Sequence, residues 1–236
     1  MRFVSALVAL LLMPLVAWAT PAFDGASNGM SSAVTTTLTI SHTVTSNANG
    51  LLTVCAGSAG VAGFATGITY NGVALTKAGE ISINAQRFVG LWYLKLPATG
   101  TNNIVITYAA LNNNGVIGGG GVSFTAVDQT TPVSNVATAS GTSTSSSVTV
   151  TSPSGAMVND CEWDQNGAVA PTSGATQRWS QVDGTWTSDG NGSATSTAVN
   201  PTMTWTWNGS STPWLAVGMS LNAVSAVTRH RVISGQ

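Results

Sequence analysis

Charged residues are scarce in this sequence of 236 residues. It contains 7 Lys and Arg and 8 Asp and Glu, so that 6% of its residues are charged, whereas a soluble domain typically carries about 25%. The formal net charge of −1 leaves no basic surface to neutralise a run of phosphates, which excludes nucleic acid as a partner. A disordered chain is also excluded, because such chains contain few apolar residues and 43% of this chain is hydrophobic.

The first 19 residues have the features of a secretory signal peptide. Arg2 supplies a positive charge, Val4–Val16 is an apolar run, and Ala17-Trp18-Ala19 fits the cleavage signal. We therefore expect residues 1–19 to be removed and residues 20–236 to form a single secreted, extracellular domain. No later segment approaches the 18 or more consecutive apolar residues of a transmembrane helix, so we expect no membrane span after cleavage.

Two cysteines, Cys55 and Cys161, follow the expected cleavage site. An even number of cysteines in an exported chain favours a disulfide, which would close a loop of about 105 residues. The alternative is a pair of buried free thiols that behave as small hydrophobic residues. The sequence leaves both alternatives open, since it does not place the two Cα atoms near each other.

Most of the chain alternates with a period of two residues. Residues 37–44 alternate Thr or Ser with Leu, Ile, His and Val, and residues 217–223 alternate apolar residues with Gly, Ser and Asn. Such alternation predicts half-buried strands, and Asn71-Gly72 predicts a two-residue hairpin. The run Gly118–Gly121 does not fit a phosphate-binding loop and indicates a turn. The sequence therefore predicts an all-β, antiparallel fold.

Several segments of the first half resemble segments of the second half in the same order. The matched segments are 42–55 with 148–161, 85–88 with 176–179, 104–108 with 201–205, and 121–127 with 218–224. Such an internal repeat predicts two related halves, about residues 34–127 and 140–224. Each half alone would expose one face of its strands, so we expect the two to pack as one two-layer, jelly-roll-like β-sandwich.

Three segments resemble a known family. They are LLTVC (Leu51–Cys55), LWYLKLPATGTNNIVITY (Leu91–Tyr108) and GVSFTAVDQTTPV (Gly121–Val133). Together they look like a family of mostly uncharacterised exported bacterial and phage-associated proteins, whose domains are similar to concanavalin A-like jelly-rolls. The resemblance implies that fold and a general association with glycan binding or cell surfaces. It supplies no catalytic residue.

Three of the eight acidic residues cluster in one segment, as Asp160, Glu162 and Asp164. On a strand this spacing places them on one face, with neighbours about 6.5–7 Å apart. Paired carboxylates at such distances carry out glycoside hydrolysis, which makes Glu162 and Asp164 weak candidates for catalytic residues. The segment resembles the acidic strand of jelly-roll glucanases, but its order Asp-x-Glu-x-Asp departs from their Glu-x-Asp-x-x-Glu.

The same three carboxylates have two other interpretations. With Asn166 they could ligate Ca²⁺, which prefers oxygen ligands, although the sequence requires no cofactor. They could also form the solvated outer face of a strand whose other side chains point inward. This last interpretation is the one that the sequence favours, because isolated carboxylates avoid burial.

Tryptophan is the residue type best suited to bind a sugar here, because its ring stacks on the apolar face of the sugar. Trp179, Trp186 and Trp214 lie beside loop-like segments, and we expect their rings to be exposed and to bind ligand. Trp205 and Trp207 alternate with Thr and are expected in the core.

Three other features have candidate roles. Arg87 and Arg178 occupy the same position in matched segments, and a guanidinium such as that of Arg178 can bind a carboxylate or an acidic sugar. The alternative, which the sequence favours, is an arginine whose stem covers an edge strand or whose charge pairs with one of the few acids. Gly25–Gly29 fits the motif G-x-S-x-G, but it lacks the strand–turn–helix context of a hydrolase nucleophile. His42 lies in the apolar phase of a strand, which favours a core imidazole over a catalytic base.

The sequence favours a secreted, non-enzymatic recognition module with a carbohydrate or another cell-surface ligand as its partner. The first alternative is a structural subunit of an extracellular filament, surface layer or virus-like particle. Few charges and Thr-rich strand edges would permit such homo-oligomers. The second alternative is a glycoside hydrolase or lyase that uses Asp160, Glu162 and Asp164.

Overall fold

The fold consists of β-strands alone in the part of the chain that the structure describes. The structure, a computed structural model, describes residues 19–31, 35–61, 63–109, 111–166, 170–172, 174–183 and 190–225. These residues form 17 strands and no helix, which confirms the predicted all-β fold. None of them belongs to a helix long and apolar enough to cross a membrane. The expected signal peptide lies outside the described residues except for Ala19, which forms an isolated bridge to Val224.

The strands are numbered in chain order. They are β1 (Ala22–Ser31), β2 (Thr37–Val44), β3 (Leu51–Val61), β4 (Ala65–Tyr70), β5 (Val73–Ala74), β6 (Thr76–Ile83), β7 (Arg87–Lys95), β8 (Gly100–Tyr108), β9 (Leu111–Thr125), β10 (Val133–Ser143), β11 (Ser145–Thr149), β12 (Met157–Asp164), β13 (Ala170–Thr172), β14 (Thr176–Val182), β15 (Gly190–Ser196), β16 (Thr202–Thr206) and β17 (Thr212–Leu221).

The described strands form four antiparallel sheets. Sheet I has the order β2-β8-β4-β5, sheet II β1-β9-β3-β7-β6, sheet III β10-β17-β12-β15-β14, and sheet IV β11-β16-β13. The Asn71-Gly72 hairpin predicted from the sequence is confirmed, since Tyr70 pairs with Val73 and both turn residues have positive φ. The four sheets differ from the single two-layer sandwich that we expected.

Alternating side chains of the central strands give the order in which the sheets stack. On β3, Val54 packs in a hydrophobic cluster with residues of sheet I, whereas Cys55 packs in a second cluster with residues of sheet III. On β12, Cys161 belongs to that second cluster, and Val158 belongs to a third cluster with residues of sheet IV. The sheets therefore stack in the order I, II, III, IV, and the central strands of sheets II and III are buried on both faces.

The two halves of the chain contribute two sheets each, in corresponding order. Strands β10, β17, β12, β15 and β14 succeed one another across sheet III as β1, β9, β3, β7 and β6 do across sheet II. Strands β11, β16 and β13 correspond likewise to β2, β8 and β4, and β5 has no counterpart among the described strands. Each half thus forms its own pair of packed sheets, and the two pairs pack against each other through sheets II and III.

Three of the four sequence matches fall on strands that correspond in this order. Residues 104–108 and 201–205 fall at the corresponding strands β8 and β16. The strand pairing aligns these two strands differently from the sequence match, because Thr43 pairs with Thr101 and its counterpart Thr149 pairs with Thr202. The two alignments differ by four residues. The fourth match is wrong. Arg87 lies on β7 and Arg178 on β14. These two strands occupy different positions in the order of their sheets, so the shared Gln-Arg-aromatic triplet is a chance similarity.

Sheets II and III meet through contacts between β3 and β12. The structure contains the disulfide between Cys55 and Cys161, with Cα atoms 5.2 Å apart. Beside it, the Thr53 hydroxyl donates a hydrogen bond of 2.7 Å to Oδ1 of Asn159. Trp163 packs so closely over Gly57 that a Cβ added there would lie 2.1 Å from its ring. The interface therefore depends on a covalent bond, a buried hydrogen bond and a glycine that leaves room for a ring.

The run Gly118–Gly121 lies inside β9 rather than in the turn that we expected. Its glycines leave space for side chains from other sheets, because a Cβ added at Gly120 would lie 2.5 Å from the Trp179 ring. A Cβ at Gly118 would lie 3.2 Å from the Trp163 ring. Close packing of strand against ring, rather than a flexible backbone, thus accounts for the glycines of this segment.

We expect the double variant Cys55→Ala, Cys161→Ala to lower the free energy of unfolding by about 4–5 kcal/mol, because the bridge closes a long loop in the unfolded chain. Urea unfolding of the oxidised wild type and of the variant, followed by tryptophan fluorescence, measures the difference. Reducing agent added to the wild type should reproduce the loss and should leave the variant unchanged. A loss below about 1 kcal/mol would contradict a constraint of this size.

Candidate functional site

The three clustered carboxylates lie in the interior. Asp160, Glu162 and Asp164 are each 0% exposed and share the face of β12 that packs against sheet IV, since Asp160 contacts Trp205 of β16. The favoured interpretation of these residues as a solvated outer face is therefore wrong. Within the described part of the chain, full burial leaves no room for a sugar between these carboxyl groups, as a glycosidase requires.

Asp160 has hydrogen-bond partners for both of its carboxylate oxygens. Oδ2 accepts a bond of 2.7 Å from Nε1 of Trp205, and Oδ1 accepts one of 2.6 Å from the backbone N–H of Ala194. Burial nevertheless raises the pKa of Asp160 to about 7, although these bonds act in the opposite direction. Asp160 thus links three strands of the interior and has no access to a substrate.

Glu162 has the most unfavourable surroundings of the three. Burial, followed by the charges of Asp164 and Asp160, raises the pKa of Glu162 well above its ordinary value. Ser146 and Asp164 lie close enough to affect that pKa, but neither carboxylate oxygen of Glu162 receives a hydrogen bond of ordinary geometry. Glu162 therefore keeps its proton more readily than a free carboxyl group does, and its ionisation opposes folding.

The internal repeat contains a signal that these residues are buried. Alignment of Cys55 with Cys161 places Asp160 on Val54 and Glu162 on Ala56, and both residues of β3 lie in an almost continuously apolar segment. Such a segment is typical of a strand that is buried on both faces. Period-2 alternation within β12 alone suggests one exposed face, because it does not reveal that a fourth sheet covers that face.

A cation site is not formed by the cluster. Over the described ranges, no group of three or more His, Cys, Asp or Glu side chains is placed to hold a metal ion. Asp160 is bonded to Trp205 and Ala194, and Asp164 accepts a bond from the backbone N–H of Asn166. Two of the three expected Ca²⁺ ligands, Asp160 and Asp164, are thus engaged with the protein.

We expect Glu162→Gln to raise Tm by at least about 2 °C at pH 8, the shift that 1 kcal/mol produces in a chain of this size, and to change it little at pH 4. The unfolded chain releases the Glu162 proton near its ordinary pKa of 4.5, while the raised pKa in the folded chain holds the proton to a higher pH. Stability therefore falls as the pH rises above that value. Thermal unfolding at both pH values measures the effect.

Glu80→Gln is the matched control for this substitution. Glu80 forms an ion pair with Lys77 at the surface, with Oε1 and Nζ 2.7 Å apart. Such surface pairs contribute about 0–1 kcal/mol to stability. It should give no gain in Tm at pH 8. Equal shifts for Glu162→Gln at both pH values would show that the ionisation of Glu162 does not oppose folding.

Two of the three tryptophans expected at the surface are buried. Trp179 is 6% and Trp214 8% exposed, so the expectation that their rings are free to stack on a sugar is wrong. Trp179 packs between sheets II and III, and Trp214 packs between sheets III and IV, where its Nε1 donates to the Ser143 hydroxyl. Trp186 lies outside the described residues. The core positions expected for Trp205 and Trp207 are confirmed.

Arg178, the other ligand-binding candidate, is occupied by intramolecular contacts. Its Cζ lies 4.1 Å from the centre of the Phe23 ring, and its Nε donates a hydrogen bond of 2.8 Å to the Thr195 hydroxyl. Burial lowers the pKa of the guanidinium from its ordinary value. These contacts place Arg178 in the junction between sheets II and III.

Ser27 and His42 form a pair that resembles part of a catalytic triad. The Ser27 hydroxyl lies 2.8 Å from Nδ1 of His42, and Ser27 is the serine of the G-x-S-x-G motif. The motif lies on the strand β1 rather than on a nucleophile elbow. Asp24 does not complete a triad, because its carboxylate is bonded to Thr45 and Ser123.

The electrostatics of His42 are those of a core residue. The side chain is 1% exposed, and burial lowers its pKa to about 4 although the charge of Asp24 acts in the opposite direction. A base with this pKa removes protons poorly at neutral pH. The expectation of a core imidazole is therefore confirmed, and the pair with Ser27 is a contact within the first half.

We expect the stability contributed by His42 to be lost as the pH falls from 6.5 to about 4, since the unfolded imidazole binds a proton in this window and the folded one does not. The loss is about 3 kcal/mol. Urea unfolding across this range should show a flatter pH profile for His42→Gln than for the wild type. His230→Gln removes the other histidine as a control. Parallel profiles for His42→Gln and the wild type would contradict the assignment.

The outer sheets present uncharged polar faces to solvent. On β2, exposed Thr and Ser side chains alternate with buried residues that face sheet II, and β8 continues the pattern across the sheet. We call this surface the first polar face. It consists of Thr37, Thr39, Ser41 and Thr43 of β2, and Thr101, Asn103 and Thr107 of β8, with the half-buried apolar Val105 among them. The sequence-based candidates did not include it, because single Ser and Thr residues carry no motif.

Sheet IV presents a second polar face with the same pairing of polar residues. It consists of the cross-strand pairs Ser145–Thr206, Ser147–Thr204 and Thr149–Thr202. The hydroxyls of Thr149 and Thr202 are 2.8 Å apart, as are those of Thr43 and Thr101 on the first polar face. The strands of sheets I and IV contain no Asp, Glu, Lys or Arg. Both faces thus offer hydroxyl groups without charge.

A groove lies at one end of the first polar face, beside the Asn71-Gly72 hairpin. Its volume is about 440 Å³, and its lining includes Thr69, Asn71, Thr101, Asn102 and Asn103. Amide and hydroxyl groups both donate and accept hydrogen bonds, so that the groove suits a neutral ligand with many hydroxyl groups.

A larger cavity of about 790 Å³ lies at one end of the second half, lined by Pro153, Ala156 and Asn222 among others. Its one acidic residue, Asp128, accepts hydrogen bonds from the backbone N–H groups of Thr130 and Thr131. The carboxylate therefore stabilises its own turn, and the side-chain amide of Asn222 donates to the backbone carbonyl of Thr131.

The chain matches no protein-family model, no curated protein and no solved structure.

Proposed function

We propose that the protein is a secreted, non-enzymatic recognition module that binds neutral glycans of a cell surface through its polar faces. One observation carries the proposal: the outer sheets expose paired Ser, Thr and Asn side chains and contain no charged residue in any strand. Neutral polysaccharides offer hydroxyl groups and no charge, so they complement such a surface.

The periodic spacing of the faces favours a polymer over a single small molecule. Strands lie about 4.8 Å apart and residues on one face repeat every 6.6–6.8 Å along a strand, so hydroxyl groups recur along β2 and β8 of one face and along β11 and β16 of the other. The groove beside Asn71 adds a concave end with amide groups. A chain of sugars that lies across the sheet can form several such contacts, each of which contributes about 0.5–1.5 kcal/mol.

The interior positions of the acids favour binding over catalysis. Glu162 and Asp164 are fully buried, and the Ser27–His42 pair has a histidine with a pKa of about 4. Neither group has an open approach for a glycosidic or ester bond among the described residues. Recognition requires only the groups that the two polar faces expose.

We expect the wild type to bind immobilised neutral glucan, mannan or galactan, and binding to be nearly independent of NaCl between about 50 and 500 mM, because no charge takes part. Truncation of both faces in the variant Thr101→Ala, Asn103→Ala, Ser147→Ala, Thr149→Ala should weaken binding at least about tenfold, equivalent to 1.4 kcal/mol. Retention on polysaccharide columns and isothermal calorimetry measure both effects.

The control is Asn28→Ala, Thr76→Ala, which removes one amide and one hydroxyl group from exposed positions on β1 and β6 of sheet II. It should bind as the wild type does. Absence of binding to every neutral polysaccharide, or equal loss in the control and in the face variant, would overturn the proposal. Binding to uronic-acid polymers alone would also overturn it, since such ligands are charged.

A further inference from the structure

We propose that the protein is bivalent: the two polar faces bind separate glycan chains, so that one molecule cross-links two of them. The inference rests on the proposed function and adds to it the number of sites and their arrangement. It depends on the stacking order of the sheets, on the symmetry of the central contacts, and on the bond that holds the two halves together.

The stacking order places the two faces on opposite sides of the molecule. The central strands of sheets II and III are packed on both surfaces, so the broad open surfaces of the stack are the outward surfaces of sheets I and IV. Packed sheets are about 10 Å apart, so three such spacings separate the two polar faces by about 30 Å. A single flat ligand surface therefore cannot contact both faces at once.

The contacts between β3 and β12 relate the two halves by an approximate two-fold axis. Thr53 bonds to Asn159, and Cys55 to Cys161, each across 106 positions of the sequence. Gly57 packs against Trp163, and these two residues are also 106 positions apart in the sequence. Each residue thus contacts its own counterpart, as in the self-complementary interface of a two-fold dimer. The chain has the geometry of such a dimer within one polypeptide.

The same relation makes the second polar face a counterpart of the first. Corresponding strands, β2 with β8 and β11 with β16, supply the two faces. The threonine pair of one face has its counterpart at the corresponding place on the other, and the hydroxyls of both pairs are 2.8 Å apart. A ligand class that binds one face should therefore bind the other.

The disulfide keeps the two faces directed away from each other. It joins the central strands of sheets II and III within a hydrophobic cluster to which both sheets contribute. The halves cannot rotate so that both faces engage one ligand surface. Two sites held in this way raise the yield of cross-links rather than the affinity for a single surface.

The experiment uses the full chain and beads coated with neutral glucan, mannan or galactan. The wild type should aggregate the beads and should bind a short oligosaccharide of the same polymer with two sites per chain in calorimetry. Thr101→Ala, Asn103→Ala should remove the first face, and Ser147→Ala, Thr149→Ala the second. Each two-substitution variant should still bind single beads with one site per chain and should no longer aggregate them.

The outcomes separate failure of the inference from failure of the proposed function. Binding of the wild type with one site per chain, or bead aggregation that survives loss of either face, would overturn bivalency and leave recognition intact. Absence of any binding would overturn both. Light scattering of the protein alone gives its mass: a mass above the monomer would assign bead aggregation to association between copies and overturn bivalency. The calorimetric site number of the wild type needs no variant and decides the question if a variant does not fold.

Discussion

The contact between β3 and β12 is the constraint on which the rest of the structure depends. It joins two pairs of sheets through a disulfide, a buried hydrogen bond and the Trp163 ring over Gly57. Both faces of the two strands are covered, because sheets I and III pack on β3 and sheets II and IV pack on β12. This burial turns sheets I and IV into the outer surfaces of the molecule and so determines which residues meet solvent.

Sequence periodicity predicts the strands well and the layers poorly. The alternation in residues 37–44 and the Asn71-Gly72 pair specify a strand and a hairpin through local chemistry, and both occur in the structure. The number of sheets depends on which faces meet, which is a long-range property. Period-2 patterns identify an apolar face, but in β12 the second face is buried as well, and only the comparison with the apolar β3 indicates this.

The same limit explains the errors at the candidate site. Carboxylates at Asp160 and Glu162 suggest solvent or catalysis, because burial of a charge is costly, yet burial raises the pKa of both groups, so that they are held neutral much more readily than free carboxyl groups. Trp179 and Trp214 stand beside loop-like sequences, but glycines on facing strands leave room for their rings inside. The polar faces went unrecognised since they carry neither a motif nor an ionisable group.

The free edges of the outer sheets are short or flanked by neighbouring strands. Strand β5 has two residues and β13 has three, while the longer β2 is accompanied by β1 of the adjacent sheet. A short edge strand offers few unpaired backbone groups to a strand of another molecule, which is one way in which natural β proteins avoid edge-to-edge aggregation. The molecule has few charges to repel other copies of itself. Because its edge strands are short, contacts between molecules are directed to the broad outer faces of sheets I and IV.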